Sequence, residues 1–142
     1  MKKILGLLLS LSIVITISGC KPAQDDDIYI VFTNDVHCAI DTNVGYTGVS
    51  ALKKELQEQH KYVTLVDVGD FISGSSFGTF TVGKGPVALM NKVGYDVVTL
   101  GNHEFDYSVA ELFDEILKDA EFDIVCSNIN YSGNKENKLV SI

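Results

Sequence analysis

The chain has 142 residues, 46% apolar and 21% charged, a globular mixture far from the polar, highly charged compositions that stay disordered, and long enough for one core. Its 11 basic residues are all Lys, set against 19 Asp and Glu, for a formal net charge of −8 that becomes −10 once Lys2 and Lys3 leave with a cleaved leader. Without clustered cations to displace counterions, nucleic acid is excluded as a partner, whereas a small phosphate ester stays compatible wherever bound cations reverse the local charge.

Met1-Lys2-Lys3 is a positive start, residues 4–17 are mostly Leu, Ile and Val, and Ser18 and Gly19 are small residues ahead of Cys20. That order is the order of a secretory leader, and the apolar stretch is shorter than the roughly 20 residues of a membrane span. Ile17-Ser18-Gly19-Cys20 resembles the bacterial lipobox, which implies a lipid on the Cys20 thiol, export, and attachment to the outer face of the cell membrane. An uncleaved anchor with an incidental Cys20 is the other reading. Residues 1–19 are thus the expected signal peptide, and residues 20–27, with Gln24-Asp25-Asp26-Asp27, an acidic tether. Cys38 and Cys126 remain; two thiols at no scaffold spacing read as small packing residues rather than a disulfide.

From residue 28 short apolar runs alternate with helical patterns, as in βαβ units on a parallel sheet. Ile28-Tyr29-Ile30-Val31-Phe32-Thr33 is a β-branched apolar run, expected to be a strand buried on both faces. Val49, Leu52 and Leu56 recur at helical spacing, which predicts a helix over 48–59, with His60 as a solvated residue at its end. Strand two follows over 62–68. Gly85-Pro86 opens a helix that runs through Val93 and stops at Gly94. Strand three covers 96–100. Ser108 and Glu111 form a capping box, with Tyr107 and Leu112 placed as a staple, for a helix whose buried stripe is Leu112, Phe113, Ile116 and Leu117. A fourth strand covers 122–126, and Leu139-Val140 begins another after a turn.

Chemistry-bearing residues fall immediately after three of these strands: Asp35 and His37, Gly69 and Asp70, and Gly101-Asn102-His103. In an open parallel sheet, ligands bind beyond the carboxyl ends of the strands, so one edge collects all three groups. Asp35 and His37 can share one ion through a carboxylate oxygen and an imidazole nitrogen. Asp70 can bridge two ions, and Asn102 offers an amide oxygen to the second. Mixed oxygen and nitrogen donors suit Mn, Zn or Fe, and two such ions suit phosphate ester hydrolysis. If the backbone is extended and Asn102 faces the ions, His103 faces the substrate as a general acid or charge stabiliser, oriented by Asp106. Asp106 has a second reading as a carboxylate favoured by the dipole of the Ser108 helix. Each short motif taken alone is also compatible with an ordinary turn. Asp67 reads as structural, bonding the backbone of the turn it precedes.

Thr33-Asn34-Asp35-Val36-His37, Val66-Asp67-Val68-Gly69-Asp70-Phe71-Ile72-Ser73-Gly74-Ser75 and Gly101-Asn102-His103-Glu104-Phe105-Asp106 resemble, in this order, the first three motifs of the calcineurin-like metallophosphoesterases. Gly94-Tyr95-Asp96 and Asn128 look like the 5′-nucleotidase branch of that family. The resemblance runs from residue 28 to about 130. It implies an α/β fold, the N-terminal part of a layered phosphoesterase domain with its motifs at strand C-terminal ends. It further implies two divalent ions of Mn, Zn or Fe type, one on Asp35, His37 and Asp70 and the other on Asp70 and Asn102, with His103 and Asp106 as the catalytic dyad. The implied activity is hydrolysis of nucleoside 5′-phosphates outside the membrane. Similar enzymes carry further His ligands downstream and a C-terminal domain that clamps the base, and no His follows His103 here. Residues 28–142 are therefore expected to be an incomplete domain, inactive alone. Cys38 departs from the small polar residue or Gly more often found after His37. Cyclic nucleotides and UDP-sugars remain open as substrates, as does a non-catalytic ligand-binding lipoprotein.

Overall fold

The computed structural model describes residues 25–129, 131 and 139–140; the expected leader, Cys20 and its lipid lie outside the described residues. Five parallel strands form one sheet in sequential order: β1 (Asp25–Thr33), β2 (His60–Asp67), β3 (Val97–Val98), β4 (Asp123–Val125) and β5 (Leu139–Val140). Parallel neighbours need crossovers, and helices supply the first two of them. α1 (Gly45–Gln59) links β1 to β2, and α2 (Ser76–Phe80) with α3 (Lys84–Val93) links β2 to β3. A 3₁₀ turn (His103–Asp106) and α4 (Val109–Glu111), which widens into a π turn over Leu112–Ile116, lie between β3 and β4. Among the described residues no helix is long and apolar enough to cross a membrane.

Register decides which side chains reach the core. Val31 pairs with Leu65, Thr33 with Asp67, and Val98 with Ile124. Leu65, Val98 and Ile124 are buried together with Phe71, Ile72, Met90, Phe113 and Phe122. Val49 and Tyr46 of α1 and Val87 of α3 close this layer, and the Leu112, Phe113, Ile116 and Leu117 stripe enters it as its spacing predicts. α3 ends at Gly94 with φ 84°, a left-handed cap that accounts for the Gly at that position.

Several details differ from the sequence reading. Asp25, Asp26 and Asp27 are not a tether but the first residues of β1, because His60 and Lys61 on the neighbouring strand pair with Asp25 and Asp26 at 2.8 and 3.1 Å. His60 is correspondingly not a solvated helix end; its ring stacks on Tyr29 with centroids 3.7 Å apart. β1 is half-buried on one face and open on the other. Ile28, Ile30 and Phe32 are 73%, 67% and 69% exposed, since the helices cover the opposite side of this edge strand. α1 starts three residues earlier than expected and turns Lys53 inward while Leu52 stays exposed. Lys53 is held there because its ammonium donates to the Gly94 carbonyl and to Asp96 Oδ2, an acceptor shared with the Leu65 amide. α2 has no apolar period to announce it. The helix after Ser108 keeps its cap, with Glu111 N donating to Ser108 Oγ at 3.2 Å, but only three residues are α-helical before the π turn.

Candidate metal centre

The loops after β1 and β2 extend the sheet ladder past the strand ends. Val68 N donates to Thr33 O at 3.0 Å, Asp35 N to Gly69 O at 3.1 Å, and His37 N to Asp70 O at 2.9 Å. Backbone bonds thereby fix Asp35, His37 and Asp70 against one another, and their ligand atoms all lie within 4.8 Å. All three residues have left-handed backbones, with φ of 52°, 46° and 62°. A non-Gly residue held there costs on the order of 1–3 kcal/mol, strain that gathers at functional sites. Two carboxylates and one imidazole at this spacing are donors a divalent ion of Mn, Zn or Fe type accepts. Asp70 is buried and Asp35 exposed, so the cluster opens to solvent on one side.

Two close approaches set this geometry. Gly69 has φ 110°, and a side chain there would meet the Gly101 amide nitrogen at 2.5 Å. Gly74 has φ 108°, and a Cβ would sit 2.7 Å from His37 Cβ and 2.9 Å from its Nδ1. The ligand loops are packed too tightly for any side chain at either place.

Asn102 heads the turn that carries His103 and Asp106. Its φ of −73° and ψ of −29° are helical, so the extended backbone assumed for the Asn102–His103 step is replaced by a 3₁₀ turn. The expected alternation of the two side chains across an extended strand does not apply. The turn is tied to Asp70 instead, by His103 N donating to Asp70 Oδ1 at 2.8 Å. Asp106 Oδ2 lies 2.8 Å from His103 Nδ1 and accepts from Ser73 Oγ at 3.1 Å. Of the two readings of Asp106, the structure thus shows the partnership with His103, while Ser108 caps the following helix. The His37 and His103 rings meet edge to face, centroids 5.2 Å apart, which places the His–Asp pair beside the Asp35, His37 and Asp70 cluster. A groove of about 720 Å³ is lined by His37, Ser73, Gly74, Thr79, His103, Asp106 and Tyr107.

Charge follows position. The hydrogen bond to Asp106 raises the His103 imidazole above its ordinary value, and the same bond lowers Asp106. Cys38 is buried with its thiol donating to Phe71 O at 3.2 Å, and burial pushes that thiol up. Cys38 and Cys126 are both free and buried, the packing role expected of them.

Under the cluster lies Asp67, fully buried, accepting from Gly69 N at 2.9 Å and from Thr33 Oγ1 at 2.5 Å. Burial pushes its pKa from 3.8 up to about 6. The folded protein therefore binds this proton more tightly than the unfolded chain, and stability falls as pH rises from about 4 to about 6, then levels. The full difference is on the order of 3 kcal/mol. In Asp67→Asn the carbonyl still accepts from Gly69 and the amide donates to Thr33. Urea unfolding in chelator is expected to show a wild-type deficit relative to the variant that grows between pH 4 and 6; a pH-independent difference excludes this origin.

Sequence reasoning missed Glu104. It is 0% exposed, and its carboxylate accepts from four backbone amides, those of Asp70, Phe71, Ile72 and Gly101. The available signal was an acidic residue next to a candidate site with no role in the metal or proton chemistry.

Residues 28–140 match the calcineurin-like phosphoesterase family. The chain is 38% identical over 120 residues to a snake venom 5′-nucleotidase of Gloydius brevicauda, covering 75% of this chain and 20% of that protein. It is 34% identical over 134 residues to a 2′,3′-cyclic-nucleotide 2′-phosphodiesterase/3′-nucleotidase of Haemophilus influenzae, covering 82% of this chain and 20% of that protein. The crystal structure of the calcineurin-like phosphoesterase YfkN from Bacillus subtilis superimposes with TM-score 0.62 at 31% identity, over 70% of this chain and 36% of that one. The chain spans about a fifth of the length of the two curated relatives. With its parallel sheet, its ligand loops at the strand ends and a family match over residues 28–140, the chain belongs to the calcineurin-like phosphoesterases.

Proposed function

We propose that the chain carries the first part of a two-metal site that hydrolyses phosphate esters of nucleotides outside the cell, in the manner of a 5′-nucleotidase. The observation that carries this reading is the convergence of Asp35, His37 and Asp70 within 4.8 Å beside a hydrogen-bonded His103–Asp106 pair. Asp35, His37 and Asp70 would hold one ion and Asp70 with Asn102 the other. When bound, two such ions would make water more acidic at neutral pH and would offset charge on a phosphoryl group.

The chain's own residues do the rest. His103, held through Nδ1 by Asp106, keeps a proton on its other ring nitrogen and delivers it to the leaving ester oxygen. Asp106 favours the protonated ring, and Ser73 donates to the same Asp106 oxygen that meets His103. The relatives' names support a nucleotide substrate, and the Haemophilus relative supports cyclic nucleotides as a second reading. An extracellular place of action fits a relative found in venom and the leader-like residues before Cys20, whose lipid would hold the protein at the membrane.

Phosphate release from AMP, a 2′,3′-cyclic nucleotide and a UDP-sugar, with Mn²⁺ and with chelator, tests the reading on the chain with any coding sequence that continues it in frame. Metal-dependent release from AMP above the other two is the expected result. Mn²⁺ binding without release from any of them would leave a ligand-binding lipoprotein.

A further inference from the structure

Glu104 stands outside the metal and proton chemistry, yet it is the most completely enclosed charged side chain of the third motif. A carboxylate offers about four lone-pair positions. Here all four are taken by backbone N–H groups. Oε2 accepts from Asp70 N at 2.8 Å and Gly101 N at 2.7 Å, and Oε1 accepts from Phe71 N at 2.8 Å and Ile72 N at 3.2 Å. Three of these donors belong to the loop after β2 and one to the loop after β3. The carboxylate thus clamps together the two loops that bring Asp70 and the Asn102–His103 turn to the site. Asp70 needs such a clamp, because its backbone sits at φ 62° and its Oδ1 must stay in reach of His103 N.

We infer that Glu104 is a positioning residue that pre-forms the metal site, holding Asp70 in its strained ligand conformation before any ion arrives. This rests on the proposed metal role of Asp70. Outer-shell groups of this kind are worth about 10–100-fold in metal affinity. Glu104→Gln is the informative change. It keeps size and shape, but its amide NH₂ must face two N–H donors, so one pair of bonds becomes a donor–donor clash.

The test uses the full chain, stripped of metal by chelator. Amide hydrogen exchange should show Asp70, Phe71, Ile72 and Gly101 protected in the wild type before Mn²⁺ is added. In Glu104→Gln those four amides should exchange fast while the Leu65 and Val98 amides stay protected. Calorimetric Mn²⁺ titration should then give a Kd about 10–100-fold weaker in the variant. Equal Kd values overturn the inference. So do wild-type amides that become protected only on adding Mn²⁺, a result that decides the matter even where the variant does not fold. Protected amides with no Mn²⁺ binding overturn the metal reading of Asp70 and this role with it, whereas Mn²⁺ binding with unprotected amides overturns pre-formation alone.

Discussion

Asp70→Ala is expected to weaken Mn²⁺ binding by more than about 100-fold, beyond the loss typical of outer-shell changes. Asp70 is the member of the cluster buried from solvent, and the one bonded to both neighbouring loops, through its carbonyl to His37 N and through Oδ1 to His103 N. In the proposed site it is also the only bridging ligand, so its loss weakens both ions at once. In chelator the variant loses the acceptor of His103 N and places Ala at φ 62°, so it should be less stable by about 1–3 kcal/mol, partly offset by relief of charge repulsion. The truncation removes a negative charge from beside Asp35, and the Glu104 bonds run to backbone amides that Ala retains. Calorimetric titration beside urea unfolding separates the two effects. A Kd within a few fold of wild type would place the metal elsewhere.

His103→Ala is expected to lower turnover by about 10²–10⁴-fold, the range of a lost general acid, in the form of the protein that shows metal-dependent release. Its Mn²⁺ affinity should hold, because the ring bonds Asp106 and not the cluster, and the backbone amide that reaches Asp70 survives in Ala. Asp106→Asn gives the sign. The carboxylate raises the His103 pKa, so removing it makes the ring lose its proton at lower pH. The alkaline limb of the rate profile should therefore move toward acid in Asp106→Asn. A limb that stays in place, or a His103→Ala rate within about tenfold of wild type, would assign the proton transfer to another group.

Much of this arrangement is legible in the residues. The placing of Asp35, Asp70 and His103 just beyond apolar β-branched runs puts them on one sheet edge by topology alone, and the structure brings the three loops together there. The Ser108 cap and the Leu112 to Leu117 stripe are local signals, and both survive. What was hidden is non-local. Glu104 meets partners 32 to 34 residues earlier, and nothing in the six-residue motif points back to them. Lys53 looks like a surface residue until the Gly94 carbonyl and Asp96 close over its ammonium. The pattern of β1 is apolar at every position from Ile28 to Phe32, so it cannot say which face the helices cover.

That last ambiguity has a practical side. A nine-residue edge strand carrying Ile28, Ile30 and Phe32 on its open face, beside Tyr62 at 45% exposure, is a lamination surface. Contiguous apolar surface of this kind on an edge strand drives self-association unless charge or a covering layer intervenes. The Asp25–Asp27 triplet puts negative charge at one end of the strand, with Asp25 and Asp26 paired to His60 and Lys61. High salt, by screening those carboxylates, would favour self-association of the chain. Colloidal behaviour, and not ligand affinity, then sets the ceiling on the protein concentration at which this site can be titrated.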